Sequence, residues 1–116
     1  MTTDRELLEL AARADGHEYP WFFAMDGRMH EWSPLTDDGD ALRLAVKLRL
    51  DFYTSNVNGL GEEIEETAVV YYHRLPLPET SAYEFVSEPF SDDPCAATRR
   101  AITRAAAEIG KGMTNG

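Results

Sequence analysis

The sequence has little of what metal and disulfide sites require. It holds one cysteine and three histidines. Cys95 cannot form an intramolecular disulfide, and its Pro-Cys-Ala-Ala context favours a small buried thiol. His17, His30 and His73 are far apart in the sequence and lack the short ligand spacing of a zinc motif. We therefore expect no metal site and no cofactor.

Long hydrophobic runs are also missing. No apolar stretch approaches the roughly 20 residues that a membrane-spanning helix needs, and the first residues lack the basic-then-apolar order of a secretion signal. The 116 residues, 43% of them hydrophobic, are enough for one domain with a modest core. We expect a single domain over residues 1–112, a frayed tail over 113–116 and a cytoplasmic location.

Basic residues are scarce, with 11 Lys and Arg against 21 Asp and Glu, which gives a net charge of −10. Residues 50–98 hold much of this excess, because Arg74 is their only lysine or arginine. Such a surface should repel nucleic acid, whose phosphates are neutralised by Lys and Arg. It can attract a basic partner, and acidity of this kind also keeps small proteins soluble.

The clearest structural pattern lies in residues 32–48. A Ser-Pro turn leads into Thr36, a predicted helix cap, and the following aspartates oppose the positive end of the helix dipole. Apolar residues then recur at helical spacing, at Ala41, Leu44, Ala45 and Leu48. A calcium loop is excluded, because the twelfth position counted from Asp37 is Leu48 and not a glutamate.

Residues typical of helix starts and helix ends predict two more helices. Thr3 and Glu6 form a capping-box pattern before an apolar stripe that ends near Gly16. Asp93 and Pro94 have the residue types of a cap and a first helical position, and the glycines at 110 and 112 are predicted to end that last helix.

Strand patterns fill the rest of the chain. Residues 18–32 predict a hairpin around Asp26-Gly27, and its consecutive aromatic residues indicate helices on both faces of the sheet. Further strands are predicted at residues 50–56, 67–73 and 82–86, with the acidic residues 62–66 as an extended arm before the central strand. The fold class is therefore α+β, a mainly antiparallel sheet of four to five strands flanked by three helices, in the order α-β-β-α-β-β-α.

The helical segments carry a family resemblance. Residues 32–48 and 97–110 resemble the two recurrent blocks of the phage ABA sandwich domain family, and residues 7–14 resemble its first helix. The resemblance implies a sheet sandwiched between helices and a small phage or prophage protein, without an activity to carry over. Residues 53–90 show no match to the family.

Together these features favour a small acidic phage accessory protein without enzymatic activity. We expect it to bind and inhibit a host protein in the host cytoplasm, such as a nucleic-acid-binding CRISPR effector, sterically or by charge mimicry. The candidate contact residues are the glutamates of the acidic lead and two nearby tyrosines: Glu62, Glu63, Glu65, Glu66, Tyr71 and Tyr72. The simpler interpretation of these glutamates is a solvated strand end.

Two alternatives remain open. The first is a module that binds a small molecule, such as a nucleotide signal, near the Arg99, Arg100 and Arg104 face or the Trp21 and Trp32 pair. These arginines also fit a solvated helix face offset by nearby acids, and the tryptophans fit a core. The second is a phage structural or interaction protein without an inhibitory role. An enzyme is the weakest class, because the sequence has no phosphate loop, nucleophile elbow or spaced carboxylate constellation.

Overall fold

The computed structural model describes residues 3–23, 26–73 and 83–113. The elements in chain order are α1 (Asp4–Asp15), β1 (Trp21–Phe23), β2 (Met29–Glu31), α2 (Asp38–Lys47), β3 (Asp51–Val57), β4 (Glu63–His73), β5 (Tyr83–Pro89) and α3 (Pro94–Met113). The α+β class and the three predicted helices are confirmed. The observed order has one strand more than the predicted α-β-β-α-β-β-α, because the strand predicted at residues 82–86 is present as β5. Residues 114–116 of the predicted tail lie outside the described residues, whereas Met113 is the last residue of α3.

The strands form two groups and not one sheet. β1 and β2 pair with each other in an antiparallel ladder, and β3, β4 and β5 form a three-stranded antiparallel sheet with β4 in the centre. The predicted central position of residues 67–73 is thus confirmed. β4 begins four residues earlier, at Glu63, so the acidic lead is extended, as predicted.

Within the described ranges, the helices stack on one side of the three-stranded sheet. α3 lies against β4 and β5, while α1 and α2 pack on α3. The core joins apolar residues of all three helices to alternate residues of the sheet, namely Ala68, Val70, Tyr72 and Val86. The predicted sandwich with helices on both faces therefore differs from the observed arrangement. The opposite side of the sheet, called the open face below, carries the odd-numbered residues of β3, the 67–73 part of β4, and β5, since side chains alternate along a strand.

Close contact between α1 and α3 explains a second difference from the prediction. Gly110 does not end the last helix, which continues to Met113. A Cβ atom at Gly110 would come within 1.9 Å of the Leu10 carbonyl oxygen. The glycine therefore lets the backbones of two helices approach each other, which only a residue without a side chain permits.

The helix caps follow the sequence at two of three sites. The Glu6 amide donates to Thr3 Oγ1 over 3.1 Å, and the Ala96 amide donates to Asp93 Oδ1 over 3.0 Å. In α2 the cap is Asp37, whose Oδ2 accepts from the Asp40 amide over 2.8 Å. The predicted cap Thr36 instead donates its hydroxyl hydrogen to Ser33 Oγ.

Two further observations concern the surface. Cys95 is exposed in the first turn of α3, so the predicted buried thiol is wrong. Cys95 lines an open groove together with Leu42, Phe52 and Ile102. Among the described residues, no helix is both long and apolar enough to cross a bilayer.

Candidate partner-binding surface

The β3–β4 hairpin projects beyond the rest of the sheet. β5 stops pairing with β4 at the Thr67–Pro89 pair, so β3 is the only described strand that pairs with residues 63–66 of β4. We call residues 56–66 the arm. Its four glutamates, predicted as partner contacts, are all exposed: Glu62, Glu63, Glu65 and Glu66.

Hydrogen bonds at both ends give the arm a defined shape. At the tip, Asn58 Oδ1 accepts from the amides of Leu60 (2.9 Å) and Glu62 (3.0 Å). At the base, the Phe90 amide donates to the Glu66 carbonyl oxygen over 2.8 Å, and the Ser91 amide donates to Glu65 Oε2 over 2.9 Å. An irregular register between Ser55 and Val57 bends the ladder between these two ends.

The four glutamates therefore differ in what their carboxylates already do. Glu62 Oε1 accepts from Asn58 Nδ2 over 3.0 Å, and Glu65 is held by Ser91. Glu63 and Glu66 make no side-chain hydrogen bond or ion pair within the described part of the chain. These two carboxylates are the ones available to a partner without loss of an internal contact.

Apolar side chains interrupt the acidic surface of the arm. Leu60 at the tip is 85% exposed, and Val57 and Ile64 beside it are also exposed. Exposed apolar groups on a projecting hairpin bury no core surface of their own. A partner that covers them gains roughly 25 cal/mol for each Å² removed from water.

An aromatic strip crosses the open face next to the base of the arm. Tyr53 and Tyr71 stack with their ring centroids 6.0 Å apart, and the Phe85 ring lies 5.6 Å from that of Tyr71. Phe85 is 60% exposed and Tyr53 is 47% exposed. A hydrogen bond with the Tyr71 side chain and partial burial raise the pKa of Tyr53 above 10.0, so the Tyr53 hydroxyl is neutral at physiological pH.

Only one of the two predicted tyrosines belongs to this surface. Tyr72 lies on the helix-facing side, is 3% exposed and donates its hydroxyl hydrogen to Glu84 Oε2 over 2.9 Å. Adjacent residues of a strand point to opposite faces, so Tyr71 and Tyr72 cannot both contact a partner. The candidate contact Tyr72 is therefore corrected to a core residue.

The sequence-based prediction missed Tyr53 and Phe85. Both lie in segments predicted as strands. Period-two alternation there places each on the same face as the other odd-numbered residues of its strand. What the pattern lacks is the pairing register, which puts Tyr71 next to both residues.

The arginine face of α3 is engaged with carboxylates. Arg99 Nη1 lies 2.6 Å from Asp38 Oδ1, Arg100 Nη1 lies 3.0 Å from Asp4 Oδ1, and Arg104 Nη1 lies 2.6 Å from Glu88 Oε2. This is the offset, solvated face that charge patterning favoured. A phosphate ligand would have to displace these carboxylates, so this face does not support the nucleotide-binding alternative.

The two tryptophans do not form a shared site. Trp32 is buried in the core, where the His17 ring meets it edge-on with centroids 4.4 Å apart, while Trp21 is half exposed on β1. His17 Nε2 also lies 2.8 Å from Asp15 Oδ2. In the described segments, no three His, Cys, Asp or Glu residues are placed to hold a metal ion.

Comparisons with known proteins do not assign this chain to a family. No protein-family model matches this chain, and no curated protein or solved structure is significantly similar to it. The resemblance to the phage ABA sandwich domain family therefore stays a prediction from the helical segments.

Proposed function

We propose that this protein is a non-catalytic binding protein whose arm and aromatic strip engage a basic surface of another protein. The observation that carries this proposal is the arm itself. It is a hydrogen-bonded projection that carries both exposed glutamates and exposed apolar residues. The strip adds tyrosine and phenylalanine rings, which are enriched at protein interfaces.

The charge around this surface has a single sign. No lysine or arginine occurs between Arg49 and Arg74, and the described basic residues of α3 are paired with acids elsewhere. A uniformly acidic surface speeds association with a basic partner and disfavours acidic ones. The apolar and aromatic groups then supply contact area that charge alone does not.

The family resemblance suggests the kind of partner. A phage protein of this size fits an inhibitor of host defence, and a defence protein that binds nucleic acid, such as a CRISPR effector, has a basic surface for phosphates. The acidic arm would occupy that surface by charge mimicry or sterically block it.

A pair of matched charge-reversal variants tests the proposal. E63K/E66K changes the two arm glutamates that have no internal side-chain partner among the described residues. E18K/E31K changes two exposed glutamates outside the arm and alters net charge by the same amount. Each protein is immobilised, exposed to lysate of a bacterial host and eluted, and a captured partner is identified by mass spectrometry and purified for titration.

We expect wild type and E18K/E31K to bind the same basic partner, and E63K/E66K to lose that binding. Wild-type association should also slow as salt rises, because salt screens exposed charges. Equal binding by all three proteins would contradict the role of the arm. F85S separately removes a ring of the strip, and it should speed dissociation with little change in association.

A further inference from the structure

A second candidate surface of this protein lies beside the arm. It is the outer edge of β3, which pairs with no other strand in the part of the chain that the structure describes. We propose that this edge binds the same edge of a second copy, so that two chains form a continuous six-stranded antiparallel sheet.

Most of this edge lacks the devices that keep strand edges apart. The exception is its C-terminal end, where the register with β4 is irregular and Ser55 Oγ bonds the Val57 backbone. β3 has seven residues, Asp-Phe-Tyr-Thr-Ser-Asn-Val, none of them proline or lysine, and all are exposed or half-exposed. Natural edge strands are usually short, bulged, or protected by lysine or proline. β5, at the other side of the sheet, has such protection in Pro89. An exposed edge without protection is a template for strand addition.

The strand is complementary to itself. Antiparallel pairing about a two-fold axis at Thr54 places Thr54 opposite Thr54, Tyr53 opposite Ser55, and Asp51 opposite Val57 of the second copy. The ladder itself would span residues 51–55, because the amide and carbonyl groups of Val57 already bond Ser55 Oγ. Asp51 is the only charged residue of β3. No like charges therefore face each other directly, although each chain has a net charge of −10.

Apolar groups on both faces extend across the same axis. On the open face, the two Tyr53 rings become diagonal neighbours, which is the relation that Tyr53 and Tyr71 already have within one chain. The aromatic strip would then run through both copies. On the helix-facing side, Phe52 is exposed beside Leu42 of α2 at an open apolar groove of about 260 Å³. A neighbouring chain would cover these groups.

Charge complementarity supports a second copy as the occupant. Arg49, just before β3, is exposed and has no carboxylate partner among the described residues. Pairing about Thr54 places the start of β3 beside the β3–β4 turn of the second copy, next to the glutamates that begin its β4. Each Arg49 would thus meet one acidic arm, and Glu66 near the base of that arm stays open to the partner proposed above.

Sedimentation equilibrium of the full chain over a wide concentration range gives the first test. We expect the mass to rise from 13.0 kDa to twice that value. T54K puts two lysines opposite each other at the axis and should raise the dissociation constant about tenfold. S87K adds the same charge on β5 and should leave it unchanged. Thermal melting of dilute T54K, expected to match wild type, separates lost association from lost folding.

Crosslinking tests the register. In T54C/C95A, the two new thiols lie on opposed residues, whose Cα atoms are about 4.5–5.5 Å apart in an antiparallel pair, and oxidation should give a covalent dimer. V57C/C95A has an equally exposed thiol that faces Asp51 and should crosslink poorly. A chain that stays monomeric overturns the proposal, and so does a dimer that T54K does not weaken and T54C/C95A does not crosslink. Both experiments measure self-association, whereas the arm is tested separately by capture of a different protein with E63K/E66K.

Discussion

Tyr53 and Tyr71 stack across the β3–β4 ladder with an interplanar angle of 17°, on the face of the sheet that no described helix covers. The two residues are diagonal and not directly opposed, because Tyr53 pairs with Val69 and Tyr71 pairs with Asp51. Rings at diagonal positions reach each other readily in a sheet. The contact therefore joins β3 to β4 near the base of the arm, on the side of the sheet away from the core.

The first prediction concerns ionisation of this pair. The hydrogen bond with Tyr71 raises the pKa of Tyr53 above 10.0, so Y71F should lower it towards that value. A raised pKa means that the contact stabilises the fold below pH 10 and that this contribution is lost as pH rises through the pKa of folded Tyr53. Ultraviolet titration of tyrosinate absorbance measures the change. Comparison with Y53F assigns the Tyr53 transition, and a Tyr53 midpoint in Y71F equal to that in wild type would contradict the hydrogen bond.

The second prediction concerns the α1–α3 contact. G110A forces a methyl group against the Leu10 carbonyl group and should reduce the free energy of unfolding by about 2–4 kcal/mol, as overpacking does. Gly112 is the matched control, because a Cβ there would have no neighbour within 4 Å. G112A should raise stability by about 0.5–1 kcal/mol through helix propensity. Urea unfolding followed by circular dichroism compares the two, and similar effects would argue against the close approach.

The third prediction separates the observed cap of α2 from the one expected from the sequence. D37A removes the acceptor of the Asp40 amide and should cost about 1 kcal/mol. T36A removes only a hydroxyl that donates to an exposed serine side chain, so its cost should be smaller. The midpoints of denaturant unfolding give both values. The order would be reversed if Thr36 were the cap.

The fourth prediction concerns a buried carboxylate that ties three segments together. Asp15 at the end of α1 contacts His17 Nε2 over 2.8 Å and Lys47 Nζ of α2 over 3.6 Å, and Lys47 also donates to the Asp15 carbonyl oxygen. D15N should destabilise the protein by about 1–3 kcal/mol, because the Lys47 ammonium loses its charged partner. E18Q, a neutralisation at a nearby exposed site, should change stability little. Thermal melting of both variants measures the difference in stability. A melting temperature of D15N equal to that of E18Q would exclude a stabilising role for the Asp15 carboxylate.

The sequence determined the features that depend on neighbours in the chain. Capping at Thr3 and Asp93 needs a side chain and an amide two or three residues apart, and these helix starts were predicted correctly. The acidic arm is equally local, because it follows from four glutamates beside a strong turn. Alternation also required Tyr71 and Tyr72 to point to opposite faces.

Only the tertiary structure decided which of these side chains are buried and which distant residues contact each other. Packing of α3 on the sheet put Tyr72 in the core and left Tyr71 on the open face beside Tyr53 and Phe85. The same packing placed Gly110 against Leu10 and gave Arg104 its partner Glu88. These contacts join residues that are distant in sequence, and local propensity has no information about them. Their positions follow from how helices and strands bury one common apolar surface.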